Sequence, residues 1–181
     1  MLTLCLYYDT MRKTNFEKMN KVTESWNFYG IAEILMHAFI QANKEELDGR
    51  EGVYLAVLHK TANKEAMEKQ VETILIGKMS KEKQAEKRTY AIEKVCRLFM
   101  LNNSNKDGIH RSSFQSEDAL NKMFGGGIMI DDCYIAVSGF PPHLDQKFVT
   151  LFALMTNRMS FYDAYYIDML TLEKQQKWMK K

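Results

Sequence analysis

Residues 125–146 read GGGIMIDDCYIAVSGFPPHLDQ, and this stretch restricts the fold more than any other. Two apolar runs, Ile128–Ile130 and Cys133–Val137, flank only Asp131 and Asp132, which is hairpin spacing. Aspartate accepts the positive φ that a tight turn asks of its central residues. Gly125–Gly127 admit the chain to the first strand through conformations closed to other residues, so at least one of them is expected at positive φ. Ser138-Gly139 closes the second strand, and Pro141-Pro142 bars a ladder from continuing. Asp145 then falls in the first turn of a helix, where an acid favours the dipole. The local order is strand, turn, strand, loop, helix.

Other segments supply the partners that such a hairpin needs. Residues 30–47 carry Ile31, Ile34, Leu35, Ala38, Phe39 and Ala42 at helical spacing, with Gly49 past the end as a stop. Residues 52–60 and 71–79 are short, β-branched and bounded by polar residues, and are predicted as strands. Ser80 caps a predicted helix through residue 101, with Ala85, Arg88, Ala91, Val95, Leu98 and Phe99 along one side and Lys and Glu facing water opposite. Residues 102–113 have loop composition, and a short helix is predicted at 116–123. The helix after Pro142 is expected to bury Phe148, Val149, Leu151, Phe152 and Met155. Ser160 and Asp163 make a capping signal for a last helix, in which Phe161, Tyr165, Met169 and Leu172 recur at helical spacing, widened by Tyr162, Tyr166 and Leu170.

The 181 residues divide on this reading into an N-terminal extension (1–20), one α+β domain (21–158) and a C-terminal helical extension of it (159–181). A formal charge of +2 with interspersed Lys and Glu gives no footprint for nucleic acid. No apolar run reaches ~20 residues, so no membrane span is expected. Three widely spaced cysteines, Cys5, Cys96 and Cys133, fit neither a disulfide framework nor a zinc pattern, and suit a reducing cytoplasm.

The segment 125–146 resembles the closing part of the haem-binding glycolate-operon (GlcG/HbpS-like) family, through Gly126-Gly127, Asp131-Asp132, Val137-Ser138-Gly139 and Asp145. Val53–Leu58 is similar to that family's first core strand. Its central-helix Ala-x-x-Lys pattern is read at Ala85-Glu86-Lys87-Arg88. The chain departs from the pattern at Met129, where the family has proline, and at Tyr134 and Ala136, where it has glycine. The resemblance implies a profilin-like antiparallel sheet of about five strands with the N- and C-terminal helices on one face, over roughly residues 30–158. It also implies a hydrophobic small-molecule ligand, haem or a related tetrapyrrole, and a homo-oligomer.

The candidate residues are weighed against that implication. The ligand-binding candidates are His37 in the first helix, and His143, Ser138 and Gly139 in the loop that leaves the hairpin. No two of His37, His59, His110 and His143 have metal-ligand spacing on one element, so no metal site is expected. Cys96 and Cys133 have no histidine within a few residues in sequence, and Asp131 and Asp132 point apart, so no catalytic residue is assigned. Two functions are therefore carried forward. The first is binding of a small molecule, with haem as the candidate. The alternative is a non-enzymatic homo-oligomeric interaction protein with no cofactor, in which the aromatic stretch from Phe161 to Trp178 packs on another subunit.

Overall fold

The computed structural model describes residues 30–104, 111–118, 120–130 and 132–179, with side chains as far as Leu172 in the last helix. The expected N-terminal extension, His110 and Asp131 lie outside the described residues.

Helix α1 spans 30–42 and ends where Asn43 folds its amide side chain back onto the Phe39 carbonyl (2.8 Å). A single turn, α2 (Lys44–Leu47), follows, and Asp48 and Gly49 reverse the chain at φ 48° and 73°. Strand β1 (Glu51–His59) leads through a 3-10 segment at Lys64–Gln70 to β2 (Glu72–Lys78), and then to the long α3 (Lys81–Ser104). Ser80 stands directly before α3, and its carbonyl accepts from the amides of Lys83 and Gln84. A 3-10 turn at Ser113–Ser116 precedes β3 (Gly127–Met129) and β4 (Cys133–Ser138). Then come α4 (Pro142–Met155) and α5 (Phe161–Met179).

The strands form one antiparallel sheet in the order β2-β1-β4-β3. Side-chain alternation along β1 and β4 feeds two separate cores. Val53, Leu55, Ile135 and Val137 pack with α1 (Ala32, Leu35, Met36, Phe39), α4 (Leu144, Phe148, Val149, Phe152) and Ile167 of α5. Ala56, Leu58, Tyr134 and Ala136 face Ala91, Val95, Leu98 and Phe99 of α3. This is the expected α+β arrangement, with the N- and C-terminal helices on one face, and the structure adds that the central helix covers the other.

The structure corrects several details. The sheet has four strands rather than about five among the described residues. Where a fifth would lie beside β3, Ser112 makes a single bridge to Ile128, and the chain then turns at once into the 3-10 segment. The helix expected at 116–123 is a turn. The Asp118 carboxylate accepts from the amides of Leu120 and Asn121, Lys122 takes φ 56°, and Asp118 and Met123 exchange both backbone hydrogen bonds (2.8 Å each). Met155 is half exposed and Ala85 is exposed, because the buried sides of α4 and α3 are each rotated from the apolar count. On α3 the burial extends to a lysine, Lys94.

Candidate functional site

Lys94 is the most informative of the described residues: a lysine only 1% exposed, in the middle of a helix that turns most of its charges to water. Burying a lone ammonium is costly, so it must find partners. Its Nζ donates to the carbonyl of Val137 (2.6 Å) and to Oδ2 of Asp145 (2.9 Å), itself 2% exposed. The other carboxylate oxygen, Oδ1, accepts from the amide of Phe140 (2.9 Å). One ion pair thus ties α3 to the end of β4 and to the first turn of α4.

The glycines explain how the lysine reaches across. Gly126 has φ 101°, the positive value expected of one of the three. A Cβ there would stand 2.5 Å from Cβ of Asp145 and 3.0 Å from Nζ of Lys94. A Cβ on Gly127 would press at 3.3 Å on both Cβ of Lys94 and Cδ1 of Leu98. The hairpin entry is therefore bare where the lysine passes from the α3 layer to the α4 layer. Gly125 serves a different contact, since a Cβ there would fall into the Phe114 ring.

A polar shell surrounds the pair. Oε1 of Gln146 accepts from the Ser112 hydroxyl (2.9 Å) and the Gly126 amide (3.3 Å), and the Ser113 hydroxyl accepts from the Gly127 amide (2.8 Å). Arg97, one turn beyond Lys94, pairs with Glu93 (2.5 Å) and donates to the carbonyls of Ser113 (2.8 Å), Ser116 (3.0 Å) and Phe124 (2.7 Å). That guanidinium pins the chain at Ser113, Ser116 and Phe124, between α3 and β3.

Burial dominates the titration of both members of the pair. It pushes the Asp145 carboxyl up to about 6 against the pull of Lys94, and lowers the Lys94 ammonium against the pull of Asp145. Each shift favours the neutral form, so desolvation outweighs the attraction on each side. The chemistry of this site is that of a structural lock: its polar atoms are spent on one another and shielded from solvent.

The ligand-binding candidates fall elsewhere. His37 is exposed on α1, on the side opposite the buried Phe39, and Ile34 lies one turn before it, 66% exposed. His143 is exposed in the first turn of α4 and meets Glu46 of α2 through Nε2 (3.0 Å). Ser138 is buried at the end of β4, and Gly139 is packed against the Gly52 carbonyl, where any Cβ would collide. Ser138, Gly139 and His143 thus share the β4–α4 connection, and His37 stands apart on another helix. Among the described residues no three His, Cys, Asp or Glu side chains group to hold a metal ion. Cys96 and Cys133 are buried thiols, pushed up to about 11 and about 12, chiefly by desolvation.

Lys94 is not singled out from the sequence, where an Ala-x-x-Lys resemblance is read at residues 85–88, six residues earlier. The spacing occurs without adjustment at Ala91-Ile92-Glu93-Lys94, and that lysine is the buried one. The sequence reading also takes Asp145 as a helix-end acid, whereas its carboxylate serves Lys94 and the Phe140 amide.

The sequence matches no protein-family model and no curated protein. Among solved structures, the chain is similar to the crystal structure of Klebsiella pneumoniae protein ORFY, a protein of DUF336, the family that includes GlcG-like proteins. The two are 15% identical over 71% of this chain and 90% of that chain, with a TM-score of 0.38. No assignment of function follows from that likeness. No helix among the described residues is long and apolar enough to cross a membrane.

Proposed function

We propose that the protein is a non-enzymatic protein-interaction module of GlcG/HbpS-like build, and that α5 is its contact element. The observation carrying this reading is the exposed side of α5. Ala164, Ile167 and Thr171 seat the helix on the body, and Phe161, Tyr162, Tyr165, Tyr166, Met169 and Leu172 all stay 40% to 84% exposed. A helix apolar on both sides belongs inside a larger structure or an interface. Aromatic and Met side chains are the types enriched where proteins meet. The family part of the reading is supported by the motif residues Gly126, Val137 and Asp145, which meet around Lys94. The non-enzymatic part is supported by the burial of Lys94, Cys96 and Cys133, three side chains of nucleophilic type among the described residues. Oxidative footprinting of Tyr162, Tyr165 and Met169 tests the contact, in the pure protein and in native cell extract. Protection in either is expected; full reactivity in both overturns the reading.

A second reading comes from α1. Its outward side presents one imidazole, His37, with the apolar Ile34 a turn away, which fits axial ligation of a haem or related tetrapyrrole lying on the surface. Titrating haem into the protein and recording the Soret band tests it. A shifted band that His37→Ala returns to that of free haem is expected, and a band unmoved by the wild-type chain discards it.

A further inference from the structure

The stripe on α5 carries information about which partner it takes. Resting on the interaction reading above, we infer that the partner is a second copy of this chain, with two α5 helices meeting about a two-fold axis. At 100° per residue the six exposed apolar side chains from Phe161 to Leu172 fill an arc of about 140°, and no charged residue of that stretch falls inside it. Asp163 and Asp168 lie outside the arc. Asp163 is already engaged by the Arg111 guanidinium and the Ser160 hydroxyl, and Arg111 also lies over the Tyr166 ring. The charge at its edge is the ion pair of Arg111 with Asp163, neutral in sum, so the stripe meets its own copy without net like charge opposed.

Area points the same way. Applying the exposed fractions to ~200 Å² per side chain gives on the order of 700 Å² on one subunit. A standard specific interface takes ~800 Å² from each partner, so pairing of α5 with the flanking rim suffices. The stripe is also self-complementary in the way a two-fold demands. In an antiparallel pair its Phe161 and Leu172 ends exchange places, and Tyr165 and Tyr166 fall nearest the axis.

Light scattering and sedimentation velocity on the full chain test this, with circular dichroism to confirm folding. The wild type is expected to have twice the monomer mass. Tyr165→Glu and Phe161→Glu are each expected to weaken association by about ten-fold or more, as loss of an anchoring aromatic does. Tyr165→Cys is expected to give a covalent dimer on mild oxidation, and Ile34→Cys on α1 to give none. A monomeric wild type, or a dimer unmoved by both glutamates, overturns the inference. The footprinting separates this failure from failure of the broader reading. Protection of α5 in extract with a monomeric pure protein means that a different protein covers the stripe. Reactivity in both removes both ideas.

Discussion

Replacing Lys94 with methionine keeps the length and apolar stem of the side chain and deletes its charge. Asp145, 2% exposed, is then a buried carboxylate with only the Phe140 amide to satisfy it. Breaking a buried pair from one side costs roughly 3–5 kcal/mol, a large share of the ~5–15 kcal/mol that holds a domain together. The cost depends on pH with a definite sign. Asp145 already titrates at about 6 with Lys94 beside it, and without the lysine its folded value rises further above the unfolded one. A carboxyl raised on folding stabilises most at low pH and loses that contribution as pH rises through its folded value. Lys94→Met is therefore closest to wild type near pH 5 and falls furthest behind near pH 8. Asp145→Asn should show the reverse. It strands an ammonium whose folded value burial depresses, so its deficit is largest at low pH and shrinks as pH rises. Urea denaturation followed by circular dichroism at three pH values measures both curves. A deficit for Lys94→Met under ~1 kcal/mol, flat with pH, would refute the claim that Lys94 and Asp145 are a desolvated ion pair.

Three further outcomes are expected. Gly126→Val forces a β-branched residue to φ 101° with its Cβ against Asp145, and should lose more than the ~1–3 kcal/mol of backbone strain alone, read as a lowered midpoint in the same denaturation. Arg97→Ala releases the carbonyls of Ser113, Ser116 and Phe124, so hydrogen exchange should speed up across 113–125 and leave β1 protected. Cys96 and Cys133, pushed up to about 11 and about 12, should resist iodoacetamide at pH 8 and become alkylated only in denaturant, as mapped by peptide mass spectrometry.

The elements legible in the sequence were those whose signal is local. β1, β2 and the hairpin showed as short β-branched runs between polar breaks, and the Ser160 cap closes as expected, with the Asp163 amide donating to its hydroxyl (3.1 Å). Gly126 was legible because a positive φ is a property of the backbone itself. Lys94 was not, because amphipathic counting sends every lysine to the surface, and its partners lie 43 and 51 residues away. The turn at 118–123 was hidden for a related reason: its composition suits a first helical turn, and the Asp118 side chain competes for the same amides. The direction of α5 was only half visible. Its aromatic spacing marks a helix, but the small residues Ala164 and Thr171 with Ile167 are what touch the body.

That inversion bears on where function resides. Gly126, Val137 and Asp145 carry the resemblance to a ligand-binding family, and all three are consumed in holding Lys94 inside the fold. A motif spent on a buried lock can persist in a chain whatever that chain binds, because losing Asp145 strands a charge and a side chain at Gly126 closes the passage the lysine runs through, while Val137 lends only its main-chain carbonyl. These three residues therefore speak for architecture. What is free to differ lies on the outward sides of the helices: the Ile34–His37 side of α1 and the aromatic side of α5. Of these, α5 exposes six large apolar side chains along one stripe, with the helix already seated by its other side. Keeping so much apolar surface in water is unfavourable by ~25 cal/mol per Å², whereas covering it releases that cost, and that difference is the physical ground for proposing α5 as the contact element.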